Sequence, residues 1–127
     1  MNKEVNAINW FEIPALDIKR AKKFYESIFK IETTEHEMMG MKYAMFPYDA
    51  SKGTVSGALV QSQMHKPNKT GVFVYLNANP DLQTVLNKIE KAGGKVTMPK
   101  TLIDEQSGYM AFFTDTEGNN VGLHSNK

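Results

Sequence analysis

Phe11-Glu12-Ile13-Pro14, followed after two residues by Asp17-Ile18-Lys19-Arg20-Ala21-Lys22-Lys23-Phe24-Tyr25, reads as a strand feeding directly into a helix. Upstream, the run from Val5 to Ile13 is rich in β-forming residues. Ile8, Trp10 and Glu12 alternate there with Phe11 and Ile13, which is the period of a strand, and Pro14 ends it. Asp17 sits where a helix N-cap belongs. Beyond it Ile18, Ala21, Tyr25, Ile28 and Phe29 fall on one helical face, with Lys19, Arg20, Lys22 and Lys23 on the other.

Working outward, Glu32 to Val60 is a series of β-like runs broken by Gly40, Pro47, Gly53 and Gly57. Three strands fit, at about 33–38, 41–47 and 55–61. Met64 to Gly71 holds Pro67, Asn68 and Gly71 and reads as a connector. The pattern then starts again. Val72 to Leu76 is a strand and Asp81 a second N-cap. Leu82, Val85, Leu86, Ile89 and Ala92 mark a helical face, which Gly93 and Gly94 terminate. Lys95 to Met98, Tyr109 to Thr114 and Asn120 to His124 are the remaining strands, with Thr116-Glu117-Gly118-Asn119 as the turn before the last. The halves superpose at an offset of 64 residues. Ile8–Ile13 falls on Val72–Asn77, Asp17 on Asp81, and Gly57-Ala58-Leu59 on Val121-Gly122-Leu123. Residue identity between the halves is low, so order and spacing carry the repeat. The expected fold is α+β: two βαβββ modules, at about 5–63 and 71–125, in one domain spanning 1–127. Each sheet covers one face with its helix and leaves the other concave.

Bulk properties narrow the function classes. The 127 residues suit one domain with a real core. Fifteen basic and fourteen acidic residues leave a net charge of +1, so no long-range field recruits nucleic acid or an anionic membrane. The absence of cysteine excludes disulfides, thiolate nucleophiles and thiolate metal sites. Met1 to Trp10 lacks the apolar core of a signal peptide, and no apolar run approaches the ~20 residues that span a bilayer. A cytoplasmic location is expected.

The two stretches quoted first, together with Ala92-Gly93-Gly94-Lys95-Val96 and Asp115-Thr116-Glu117-Gly118-Asn119 leading into Val121-Gly122-Leu123-His124, resemble the glyoxalase/bleomycin-resistance (vicinal-oxygen-chelate) superfamily. That superfamily includes lactoylglutathione lyase, extradiol dioxygenases, fosfomycin-resistance enzymes and metal-free antibiotic-binding proteins, so the resemblance implies a fold and leaves the reaction open. Its enzymes place metal ligands, usually His or Glu, on the first and last strands of each module. Carried over by position, those places are Trp10, Ala58 (or its neighbour Gly57), Val74 and Gly122. Indole, methyl, isopropyl and hydrogen are not ligands for a divalent metal. No metal and no cofactor is expected.

Period-2 geometry then says what lines the concave face. Ile8 and Glu12 accompany Trp10, and Val72 and Leu76 accompany Val74. Ser56 and Val60 go with Ala58, and Asn120 and His124 with Gly122. The expected ligand-binding set is Trp10, Glu12, Ser56, Ala58, Val74, Leu76, Gly122 and His124. A mostly apolar face with one indole suits a small organic molecule. Trp10 is either a stacking platform for a flat ligand or a filler of the space a metal would occupy. Glu12 either anchors a cationic or hydroxylated ligand or faces solvent at the strand end. His124 either pairs with Glu12 as an acid–base couple, the weak catalytic candidates, or is a surface residue. In Glu35-His36-Glu37 only the two glutamates share a face, and His65 reads as a solvated connector residue. Met38, Met39, Met41 and Met45 form a cleft wall, a partner interface or core filling. Three functions stand: metal-independent binding of a small, partly aromatic molecule, a lyase or isomerase of the glyoxalase type using Glu12 and His124 or a metal at non-standard positions, or an interaction module without a ligand. A homodimer is expected, because sheet edges need covering.

Overall fold

The structure is a computed structural model describing residues 1–127. Strand β1 (Trp10–Pro14) leads into helix α1 (Ile18–Phe29), then β2 (Thr34–Met38), β3 (Met41–Met45) and β4 (Ser56–Gln61). The second half repeats this with β5 (Tyr75–Asn77), α2 (Gln83–Ile89), β6 (Lys95–Asp104), β7 (Gly108–Thr114) and β8 (Asn120–Ser125). The strands form two four-stranded sheets, ordered β1-β4-β3-β2 and β5-β8-β7-β6. Each sheet pairs its first strand parallel to its last and the others antiparallel. The fold is therefore α+β with two βαβββ modules, as the sequence pattern requires.

Local chemistry sets the boundaries. The Asp17 carboxylate accepts the N–H groups of Lys19 and Arg20 and caps α1. Asp81 accepts the Gln83 N–H at the start of α2, and Gly93, at φ 104°, turns the chain out of that helix. Between β2 and β3, Met39 and Gly40 both have positive φ, the geometry of a two-residue type I′ hairpin. β1 begins at Trp10, later than the alternation from Val5 suggests, because Trp10 pairs with Ser56, the first residue of β4. Without a neighbouring strand, the backbone before it has no ladder to join.

One core serves both modules. Ile13, Phe24, Tyr25, Ile28 and Leu59 of the first pack with Leu76, Leu82, Ile89, Phe113 and Leu123 of the second. The turn before β8 crosses between modules with buried polar groups. Glu117 Oε1 accepts the N–H groups of Leu16 and Asp17 at 2.8 and 2.7 Å, and Arg20 Nε donates to Glu117 Oε2 at 2.7 Å. Asn119 donates to the Pro14 carbonyl, and Tyr25 Oη donates to Asp115 Oδ2 at 2.8 Å. Burial pushes the Tyr25 and Asp115 groups above their ordinary pKa ranges. At Glu117 burial also opposes the charge, but the hydrogen bonds from Arg20, the Asp17 N–H and Thr116, with the Arg20 charge, outweigh it and lower its pKa.

The second module breaks the 64-residue offset at its first strand. Leu59 and Leu123 keep it, but Ile13 pairs with Leu59 whereas Leu76, not Asn77, pairs with Leu123. The extra residue is taken up between Ala78 and Asp81. Leu76 therefore faces the core, 8% exposed, with the half-buried Val74 packed against it. Tyr75 and Asn77 lie across from Gly122 and His124 on the other face. Val74 and Leu76, expected on the concave face, are thus on the helix-covered side. The residue equivalent to Trp10 is Phe73.

Glu117→Ala should destabilise the fold by about 2–4 kcal/mol, since it leaves the Leu16 and Asp17 N–H groups at the entry to α1 without their acceptor and removes the Arg20 hydrogen bonds. Urea unfolding measures this, and a loss below about 1 kcal/mol would show that the turn does not hold the modules together. Because the folded state lowers the Glu117 pKa, its contribution is present above the unfolded glutamate range and is lost as pH falls through the folded value. Glu117→Gln should therefore lose less stability than wild type as pH falls below the ordinary glutamate range.

Candidate functional site

On the exposed face of the first sheet, Trp10 lies across from Ser56 and Glu12 across from Ala58. The indole is 39% exposed and stands edge-on to Tyr48, with ring centroids 6.4 Å apart. Trp10 Nε1 donates to Glu12 Oε2 at 3.4 Å. The other Glu12 oxygen lies 2.9 Å from His65 Nε2. A carboxylate only accepts, so Nε2 carries the proton of that bond. His65 Nδ1 in turn lies 2.6 Å from the Ser62 hydroxyl, whose oxygen also accepts the Met64 N–H. Trp10, Glu12, His65 and Ser62 thus form one hydrogen-bonded chain at the lip of the sheet.

This replaces the Glu12–His124 couple. His124 is on the corresponding face of the second sheet, but its Nε2 is 2.6 Å from the Ser107 carbonyl oxygen. His65 is not a solvated connector residue, because the chain after β4 folds back and brings it half-buried onto Glu12. No sequence period links residues 53 apart; the only local signal is the Ser62–His65 spacing, which suits a turn closed by side chains.

Ser56 and Ala58 do share the Trp10 face but offer little to a ligand. Ala58 is fully buried, and the Ser56 hydroxyl donates to the carbonyls of Phe46 and Pro47. On the second sheet, Phe73, Tyr75 and Phe112 form an aromatic group, with centroids 5.4 Å (Phe73–Phe112) and 5.8 Å (Tyr75–Phe112) apart. A Cβ on Gly122 would stand 2.7 Å from the Tyr75 ring, so Tyr75 fills the space beside it. The four places that hold metal ligands in related enzymes are here Trp10, Ala58, Phe73 and Gly122, and none is a metal donor. No three His, Asp or Glu side chains converge elsewhere, Glu35 and Glu37 included. Those donors do not fit a divalent cation.

A cavity of about 540 Å³ opens at the seam between the β1 and β5 edges and is lined by residues from both faces of the strands. Phe11, Phe29, Ile31 and Phe46 line it from the first module and Val74 and Tyr75 from the second. Met38 and Met39 are exposed at the β2–β3 hairpin, whereas Met41 and Met45 are half-buried.

The sequence profile of the Glyoxalase/Bleomycin resistance protein/Dioxygenase superfamily matches residues 7–123, and the chain belongs to that superfamily. It is 30% identical over 114 residues to a glyoxylase-like domain-containing protein of Didymella fabae, covering 88% of each chain. Among solved structures it is similar to a glyoxalase I mutant from Zea mays, with TM-score 0.70 and 20% identity over 92% of this chain, spanning only 45% of the maize one. It is also similar to TnmS3, an antibiotic binding protein from Streptomyces sp. CB03234, with TM-score 0.66 and 18% identity over 99% of this chain and all of the other. No helix is long and apolar enough to cross a membrane.

A double-mutant cycle separates the two histidines. Glu12→Gln with His65→Ala should show a coupling of about 0.5–1.5 kcal/mol in unfolding free energy. Glu12→Gln with His124→Ala should be additive. Additivity in the first cycle, or coupling in the second, would put Glu12 with the wrong partner.

Proposed function

We propose that the chain binds a small, partly aromatic organic molecule on the Trp10 face without a metal. The observation that carries this reading is the Trp10 indole, half-exposed beside Tyr48 at a place where related enzymes hold a metal ligand. Two aromatic groups set edge to face offer a flat ligand a stacking surface and a side wall. Glu12 and His65 sit at its edge, where they can accept from or donate to a hydroxyl or amine on the ligand. The likeness to an antibiotic binding protein supports the same reading at the level of the fold.

A homodimer belongs to this proposal. β1 and β5 are both sheet edges, and Ile8, Trp10, Val72, Phe73 and Tyr75 are exposed on or beside them. Pairing such edges across a two-fold axis would cover this apolar surface and close the shallow ligand face. A chain without cysteine is at home in the reducing cytoplasm, where we place it.

A second reading rests on the Ser62–His65–Glu12 hydrogen bonds. A histidine held by a carboxylate is built as an acid–base group, so a lyase or isomerase using Glu12 and His65 is the alternative. For such an enzyme His65→Ala would abolish turnover while leaving ligand affinity nearly intact. For a binding protein it would alter affinity alone.

Trp10 is the single tryptophan, so a ligand stacking on it should change the protein's emission. Trp10→Ala should weaken binding by about 1–3 kcal/mol. Equal affinity in the variant would move the ligand elsewhere. Elemental analysis of dialysed protein should give far less than one divalent metal per chain, and a full retained equivalent would overturn the metal-free reading. Sedimentation should give twice the 14.3 kDa chain mass at micromolar concentration, and a persistent monomer would remove the dimer.

A further inference from the structure

Ser62, His65 and Glu12 hold one another in the order that acyl-transfer chemistry uses. The Glu12 carboxylate fixes the His65 proton at Nε2, 2.9 Å away. The neutral ring then carries its lone pair at Nδ1, and the Ser62 hydroxyl stands 2.6 Å from that nitrogen. The Met64 N–H donates to the Ser62 oxygen at 3.1 Å, which leaves the hydroxyl hydrogen to point at Nδ1. The His65 side chain is 15% exposed and held at both nitrogens, so it is oriented as a base is oriented. Ser62 is half-buried, within reach of a small molecule, and sits in the connector after β4, off the β1 and β5 edges given to the dimer contact. Such an arrangement is defined by roles and distances and recurs on unrelated folds.

We propose that Ser62 is a nucleophile that cleaves a small ester carrying an aromatic part, with His65 as general base and Glu12 as the positioning residue. The proposal rests on the Trp10 ligand face only for where the aromatic part sits. Ser62 Oγ attacks the ester carbonyl carbon, and its proton passes to His65 Nδ1. The bond from that carbon to the leaving oxygen breaks, and the departing alcohol takes the proton from Nδ1. Water then attacks the acyl-serine, giving one proton to Nδ1, which returns it to Ser62 Oγ as the acid leaves. Only the ester and water are consumed. The Met64 N–H already on Oγ favours the negative charge that builds there as the proton departs. The N–H groups of Gln63 and His65 donate to no group of the chain, and they are free to take the carbonyl oxygen as it becomes negative.

The test uses the full chain and two probes. p-Nitrophenyl acetate reports turnover, and a biotinylated fluorophosphonate reports the nucleophile by forming an Oγ–P bond as fluoride leaves. The chain should hydrolyse the ester at least about a hundredfold faster than free imidazole at equal concentration. Peptide mass analysis should place the phosphonyl group on Ser62, a result that needs no variant to fold. Ser62→Ala and His65→Ala should each cut kcat by about a hundredfold or more. Glu12→Gln should cut kcat by about tenfold or more with KM within about twofold, and Glu12→Asp should recover part of the loss. His36→Ala removes an exposed imidazole on β2 and should leave the rate within about twofold. Three results would each overturn the inference: hydrolysis no faster than by imidazole, phosphonylation at a residue other than Ser62, or full kcat in folded Ser62→Ala. Trp10→Ala separates this inference from the ligand face. It should raise KM and leave kcat within about threefold. An unchanged KM with Ser62-dependent turnover would remove the face and leave the nucleophile standing, whereas a ligand that stacks on Trp10 in a chain without turnover would do the reverse.

Discussion

A single buried carboxylate governs how the two modules meet. Glu117 belongs to the second module, yet it accepts the N–H groups of Leu16 and Asp17 at the start of the first module's helix and takes the Arg20 guanidinium. The first N–H groups of a helix have no partner within it and must find one outside. Here one of those partners comes from a turn about a hundred residues away. Asn119 and Asp115, from the same turn, fasten the end of β1 and the inner face of α1. The modules therefore cannot slide, and the faces of β1 and β5 are held in one relation. That relation leaves the seam, with its aromatic cavity, open between them.

Much of this was legible in the sequence. Ile13 and Leu59 against Trp10, Glu12 and Ala58 gave the faces of the first sheet correctly, because one set is apolar and the other carries a carboxylate. In the second module the same reasoning had nothing to work on. Val72, Val74 and Leu76 are apolar, and so are Phe73 and Tyr75, so alternation could not choose the inner set. The count from Asp17 to Asp81 chose instead, and one extra residue before Asp81 shifted it. A shift of one position exchanges the two faces of a strand. Gly122 held the missing clue: a glycine between large neighbours marks a place another side chain fills, and Tyr75 is the residue that fills it.

The polar part of the site was less legible for a different reason. Glu12 was visible as a carboxylate in an apolar strand, and such a group needs a partner when partly covered. Its partner lies in the connector, where no periodicity operates. His124 matched by chemistry and face, but the chain places Ser107 beside it first. Residue type and face narrow the candidates, whereas the path of an irregular segment decides which of them meet.

The two modules differ on their exposed faces while sharing one core. At corresponding places the first carries Trp10 and Glu12 and the second Phe73 and Tyr75. The first face keeps an indole beside a carboxylate and a histidine; the second is an aromatic wall. These changes support one another. A carboxylate at residue 122 would place its Cβ 2.7 Å from the Tyr75 ring, so the second sheet cannot hold a metal donor there unless Tyr75 moves or is replaced. On the first sheet Ala58 is fully buried, and a longer side chain there would displace the groups that pack over it. At Ala58 and Gly122 the space a longer donor side chain would need is filled by neighbouring groups, so the difference from the enzymes' donor pattern is a matter of packing as well as of residue identity.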